Sequence, residues 1–287
     1  MSYRGNRRGG GGGGRRNDQK FHRDVKSDPG EEVDESSEVV QTFRQFAKEL
    51  DAKHDKYERL VKLSRDVTIE SKRIIFLIHT IGSEDKKEQI LSQAKSRLKQ
   101  VEVNLLQPIA KELAGEDIYQ FIRAFSPGIQ EYVEAKTFCC YMESKSIPSW
   151  TDIQQDLTYS SEPSSEETPA VVETLQTPML PTDFMLGLGD LTGELMRRCI
   201  NCVGMGQLDS CQQLCIFLRL VYKHFLGTNC IGYKEMGRKS YTLRQSLLKT
   251  ENACYTIHVR GSEVPKHLLA QAISMPADNP DDDEGFY

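Results

Sequence analysis

From Val39 to about Ile81 the sequence contains neither glycine nor proline. Apolar or small residues recur there at Val39, Phe43, Phe46, Leu50, Tyr57, Leu60/Val61, Ser64, Val67, Ser71, Ile74/Ile75 and Ile78. The steps alternate between three and four, the period of one helix face. An uninterrupted helix of this length runs roughly 60 Å, longer than a small domain is wide. Such a helix buries one stripe in its own bundle and offers the remainder to a partner. A chain that exposes apolar residues this way is expected to need that partner for solubility.

The rest of the chain repeats the helical theme. A second helix is expected over 85–114, with Pro108 kinking or ending it and Gly115 as its stop. A third covers 116–145, where Ser126-Pro127 is either an N-cap with a first-turn proline or a kink. Ser149 and Asp152 suggest a short capped helix at about 150–157. Residues 158–181 carry four prolines and a Ser/Glu run and read as a loop inside one bundle. Further helices are expected at 183–203, about 210–226 and about 233–259, with a short one after Pro265. Strand signals are sparse and no βαβ alternation is present, so the class is all-α with about seven main helices.

Composition sets the edges of the folded part. Residues 1–30 hold eight of the 21 glycines and a net charge of +5, against −5 for the whole chain of 287 residues. Residues 1–34 therefore read as a disordered Arg/Gly arm, 35–275 as a single helical domain and 276–287 as an acidic disordered tail. An RNA-contacting or import arm and an idle solvated tail are both open readings of the first segment. The longest purely apolar run is about five residues, Ile74–Ile78, too short to span a bilayer. No apolar leader core is present near the N-terminus. Of the eight cysteines, Cys199/Cys202 and Cys211/Cys215 have zinc-like spacing, but they lie in apolar helical patterns and read better as buried small hydrophobes.

No nucleophile elbow, phosphate loop, dinucleotide fingerprint or His-rich zinc motif is present, and no histidine follows a glutamate by three. The remaining chemistry lies in carboxylates. Glu131 and Glu134 stand at i, i+3, and Asp190 and Glu194 at i, i+4, so each pair shares a helix face. Gly187, Gly189 and Gly193 interrupt the second segment. Each weakens a helix by about 0.5–1 kcal/mol relative to alanine, so a neighbouring helix or a ligand is expected to approach there. Two such pairs on facing helices would offer oxygen donors to Mg²⁺, and solvated acids paired with Lys or Arg are the plain alternative. Arg123, Lys136, Arg197 and Arg198, with Arg65, Lys72 and Arg73 on the long helix, are candidate phosphate-binding residues.

These segments resemble the translin family, in its translin-associated factor X branch. The similarity rests on DAKHDKYERLVKLSRDVTIESKRIIFLIH (51–79), KELAGEDIYQF (111–121), GIQEYVEA (128–135), LGDLTGELMRRCIN (188–201) and YTLRQSLLKTENACYTIHVRGSEVPKHLLA (241–270). The resemblance covers about 40–275 and leaves out the arm, the loop 158–181 and the tail. It implies a seven-helix translin fold and assembly with translin into a closed hetero-octamer. It further implies a Mg²⁺-dependent endoribonuclease acting on short single-stranded RNA, with DNA as another ligand. Roles in activating the RNA-induced silencing complex and in tRNA processing, in cytoplasm and nucleus, come with it. No membrane and no small-molecule cofactor are expected. The family's catalytic acids fall on Glu131, Glu134, Asp190 and Glu194, with Glu134 and Glu194 as metal ligands. Ser126-Pro127-Gly128, just before the first pair, departs from the family pattern and could shift Glu131 and Glu134. A binding scaffold without turnover is the competing reading, favoured if the acids stand exposed and apart.

Overall fold

The computed structural model describes residues 36–82, 84–160, 174–205, 207–228 and 233–260. The arm 1–34, the tail 276–287, the helix expected after Pro265 and Cys230 lie outside the described residues. The helices are α1 (Glu38–His79), α2 (Glu84–Val101), α3 (Gln107–Leu113), α4 (Ile118–Ser144), α5 (Trp150–Asp156), α6 (Pro181–Gly204), α7 (Leu208–Gly227) and α8 (Lys234–Arg260). A π-helical turn, Glu102–Leu106, joins α2 to α3. Counted as one interrupted helix, that stretch makes seven helices among the described residues, and the fold is all-α as expected.

The chain divides into two units, Met1–Glu49 and Leu50–Tyr287. In the first, the described residues form the opening turns of α1. Val39, Phe43 and Phe46 are all exposed there, and the two phenyl rings meet edge-on at 6.3 Å. In the second, α6 is the central helix and packs against α4, α7 and α8. Its core includes Leu60, Val67, Ile74 and Ile78 of α1, all fully buried. Burial of such a side chain stabilises by about 1.5–3 kcal/mol. The apolar stripe read from the sequence is thus buried from Leu60 onward.

Pro108 does not end its helix. A proline ring collides with the carbonyl four residues earlier. Here the π turn loosens the ladder just before it, with Gln107 N–H donating to the Glu102 carbonyl. Side chains add further donors to carbonyls of this turn: Tyr159 Oη donates to Glu102 O at 2.9 Å and Thr177 Oγ1 to Leu106 O at 2.8 Å. Gly115, at φ +75°, supplies the stop. α5 begins with the expected Ser149/Asp152 capping box. The sequence did not announce β1 (Thr158–Ser160) and β2 (Thr174–Gln176), an antiparallel pair that clasps the ends of the internal loop in the register Thr158↔Gln176.

Cys199, Cys202, Cys211 and Cys215 are buried and unbridged between α6 and α7. Cys211 Sγ donates to the Cys199 carbonyl at 3.5 Å. They serve as small core residues, as the patterns suggested. No described helix is long and apolar enough to cross a membrane.

Candidate functional site

The acids of the first pair depend on how α4 survives Ser126-Pro127-Gly128. The N-cap is Asp117, nine residues before Ser126, and its side chain accepts from Tyr119 N–H. Ser126-Pro127 is therefore internal to the helix rather than its start. Ser64 mends the ladder, and Asp183 ties the side chains beside it. Ser64 of α1 accepts from Gly128 N–H at 3.0 Å and donates to the Phe125 carbonyl at 3.3 Å. Ser126 Oγ and Gln130 Nε2 donate to Asp183 of α6 at 2.5 and 3.1 Å. The run that could have displaced Glu131 and Glu134 is instead where α4 is fastened to α1 and α6.

Glycines set the spacing of these helices. A Cβ on Gly128 would stand 2.8 Å from the backbone and hydroxyl oxygens of Ser64. A Cβ on Gly187 would stand 2.8 Å from Gln130 O and the Val133 side chain. Both crossings need a bare backbone, and overpacking there costs about 1–3 kcal/mol. Gly189 lies under the stem of Lys239 on α8, whose Cβ is 3.2 Å from where a methyl would sit. Gly193 meets nothing within 4 Å.

The close α4–α6 crossing brings the four acids together around Glu134. As a whole residue Glu134 is only 8% exposed, and none of the described residues gives its carboxyl a hydrogen bond or ion pair. Burial, then the charges of Asp190, Glu131 and Glu194, push its pKa up to about 8. A carboxyl raised by both desolvation and like charges marks a candidate functional group.

The other three acids carry cations. Lys72 of α1 pairs with Glu131 at 3.0 Å, while Glu131 Oε2 stays buried without a partner. Lys239 pairs with Asp190. His79 Nε2 lies 2.5 Å from Glu194 Oε2, and Arg197 Nη1 3.3 Å from the same oxygen. The hydrogen bond to Glu131, then the charges of Glu131, Glu134 and Asp190, hold Lys72 above the usual lysine range. With the acids held this way, no three His, Cys, Asp or Glu side chains among the described residues are placed to hold one ion.

Of the cations read from the sequence, Lys72 and Arg197 stand at the acids, and both are more than half exposed. Arg65 and Arg123 are exposed. Arg73 is tied to Glu70 on its own helix. Two residues depart from the expectation of free surface cations. Arg198 is buried and donates to the Ile81 carbonyl at 2.5 Å. Lys136 is committed to Glu102 at 3.2 Å and Asp156 at 2.8 Å, among residues other than the four acids. Residue spacing put Lys136 close to Glu134, but two positions along a helix turn a side chain to the far side.

The sequence reading missed His79 and Lys239. His79 lies two turns beyond Lys72, on the same face of α1, which was a readable signal. Its ring is mostly buried, stacks against Phe138 at 4.9 Å and leaves Nδ1 without a partner. Lys239 comes from α8, 49 residues after Asp190, and no local pattern points to it.

The sequence profile of the translin family matches residues 55–261. Translin-associated protein X of Mus musculus is 47% identical over 265 residues, which cover 90% of this chain and 91% of the relative. Its homolog in Schizosaccharomyces pombe is 27% identical over 229 residues, covering 78% of this chain and 90% of the relative. Among solved structures, AfC3PO in complex with duplex RNA matches with a TM-score of 0.56 at 19% identity, covering 78% of this chain and all of the other (100%). Apo-NeC3PO matches with a TM-score of 0.55 at 19% identity, covering 73% of this chain and 93% of the other. At that identity the structural likeness speaks for the fold.

Proposed function

This chain belongs to the translin family, and from that premise we propose that it is the RNA-cleaving subunit of a hetero-oligomer with translin. The observation that carries the proposal is Glu134, a buried carboxyl with no partner, ringed by Asp190, Glu131 and Glu194. A fold gains nothing from such a group by itself. Leaving a polar group buried and unsatisfied costs about 1–3 kcal/mol, and like charges around it add to that.

The donor set fits Mg²⁺. It is made only of hard carboxylate oxygens, and one of them, Glu131 Oε2, is buried without a partner. Glu134 and Glu194 are the residues proposed to hold the ion. When bound, Mg²⁺ supplies a water of lowered pKa and a positive charge beside the scissile phosphate. Glu131 and Asp190 would orient the attacking water or take its proton. Lys72 and Arg197 offer charge to the RNA backbone. Lys72 must first release Glu131, which an exposed lysine on a flexible stem does readily. The duplex RNA of the AfC3PO complex supports RNA as the ligand class, and the names of the relatives support translin as the partner. Work on short single-stranded RNA, in cytoplasm and nucleus, belongs to the same proposal.

One observation favours the second reading, a non-catalytic RNA-binding scaffold: three of the four acids are paired with a lysine or an arginine. A single assay separates the two. The chain is co-expressed with translin and given a short fluorescent single-stranded RNA, with Mg²⁺ or with chelator. Wild type is expected to cleave only with Mg²⁺. Glu134→Ala is expected to lower cleavage at least about 100-fold in an assembly of unchanged size. RNA that stays bound and intact on wild type assigns the scaffold.

A further inference from the structure

Three glycines interrupt α6, and the fold explains two of them. Gly187 is filled by α4 and Gly189 by the stem of Lys239. Gly193 is half-buried, yet a methyl there would meet nothing within 4 Å. Alanine at such a site strengthens a helix, so packing among the described residues gives no reason for glycine. Its position is telling. It lies three residues after Asp190 and four before Arg197, so it shares their face of the helix, with Glu194 next in the chain. One turn further on, Arg197 holds an exposed guanidinium 3.3 Å from Glu194. Beside this opening stands the unpartnered Glu134, more than nine-tenths buried, whose charged neighbours include Asp190 and Glu194.

We infer that Gly193 keeps open the seat of a phosphodiester strand, which lies against the bare backbone of α6 with Arg197 on its phosphate and the four acids beneath. Glycine is the residue that lets a ligand backbone come this close. A guanidinium supplies paired donors to a phosphate oxygen. The strand, rather than a free nucleotide, is the occupant because Gly193 and Arg197 stand four residues apart, one turn along the same face of α6, and so offer two successive points to a backbone. The inference rests on the RNase reading and deepens it: Gly193 becomes a specificity-determining residue for a polynucleotide backbone.

The test sets stability against binding. Gly193→Ala, Gly193→Leu and Arg197→Gln are made in the full chain and co-expressed with translin. Gly193→Ala is expected to assemble normally and to melt about 2–4 °C higher than wild type, since it removes a mid-helix glycine and touches nothing. Affinity for an uncleavable 2′-O-methyl RNA, read by fluorescence anisotropy, should fall at least about tenfold, and further with leucine. Cleavage should fall in parallel through KM more than kcat. Arg197→Gln should weaken the same binding and reduce its salt dependence by about one phosphate contact. Wild-type affinity and cleavage in Gly193→Ala would overturn the inference while leaving the RNase reading intact. Failure of Gly193→Ala to assemble would also overturn it, by giving the opening to a protein neighbour. If wild type binds RNA without cleaving it, the RNase reading falls, and the anisotropy series still decides whether the strand sits at Gly193.

Discussion

Two glutamates, Glu102 and Glu134, lie buried in this helical fold, 2% and 8% exposed, and their surroundings are opposite. Glu102 sits in the π turn. It accepts from Tyr132 Oη at 2.7 Å, Lys99 at 2.9 Å and Lys136 at 3.2 Å. Burial pushes its pKa up, but those three donors outweigh burial and hold it below the usual carboxylate range. Glu134 has no such donors, and burial and three acids raise it together. Burial alone therefore says little about purpose. A buried acid with both oxygens answered belongs to the frame, and one left unanswered among its own kind is kept for something that arrives.

The sharpest way to break this comparison is to remove each carboxylate. Glu134→Ala should abolish most cleavage, by the margin given above, while leaving stability unchanged or raised. Glu102→Ala should do the reverse. It takes the acceptor from the buried Tyr132 hydroxyl and leaves Lys136 with Asp156 alone, and leaving such a buried donor unanswered costs about 1–3 kcal/mol. Denaturant titration of both variants beside the RNA assay decides it. Equal losses of stability would show that Glu134 is part of the frame after all.

The pH dependence should separate them next, measured in chelator. The folded-state pKa of Glu134, about 8, lies above the ordinary value of 4.5 that the unfolded chain keeps. Between those values the folded state binds more protons than the unfolded one, so stability falls as pH rises from about 4.5 to 8 and then levels. Glu102 is shifted the other way. Its contribution is present above the ordinary carboxylate range and is lost as pH falls below it. Glu134→Gln should flatten the neutral limb only, and Glu102→Gln the acid limb only. A neutral limb that persists in Glu134→Gln would place the titration elsewhere.

These two environments differ in how far the sequence reveals them. The helices were legible because their patterns are local: α1 from an unbroken three-and-four spacing, α5 from Ser149 and Asp152, the stop at Gly115. Both acid pairs were visible as shared helix faces, and the family resemblance singled them out. What stayed hidden is held by distant partners. Pro108 looked like a kink or a helix end because nothing near it announces that Tyr159 and Thr177 bond the carbonyls of the π turn. Ser126-Pro127-Gly128 looked disruptive because Ser64 lies 64 residues from Gly128. The three-residue strands are too short to carry an alternating pattern. His79 could have been read from the face it shares with Lys72, but Lys239 reaches Asp190 only through tertiary packing, so the full charge balance of the site was not local information.

The counter-cations give the smallest and most discriminating effects. Burial pulls the Lys136 ammonium down, but Asp156 and Glu102 outweigh it and hold it above the usual lysine range. Lys136→Met should cost about 1–3 kcal/mol, because Glu102 loses one of its three donors while remaining buried. Lys72 is 64% exposed at its side chain, and its pair with Glu131 is a surface contact. Lys72→Met should change stability by less than about 1 kcal/mol. It should nonetheless tighten Mn²⁺ binding, followed by titration calorimetry without RNA, since it removes a positive charge that now occupies Glu131 and lies in the field of Glu134 and Asp190. Lys136→Met should leave Mn²⁺ binding as it is. If Lys72→Met instead weakened the ion, the lysine would be arranging the acids rather than covering them, and the contrast between an answered and an unanswered glutamate would lose its electrostatic basis.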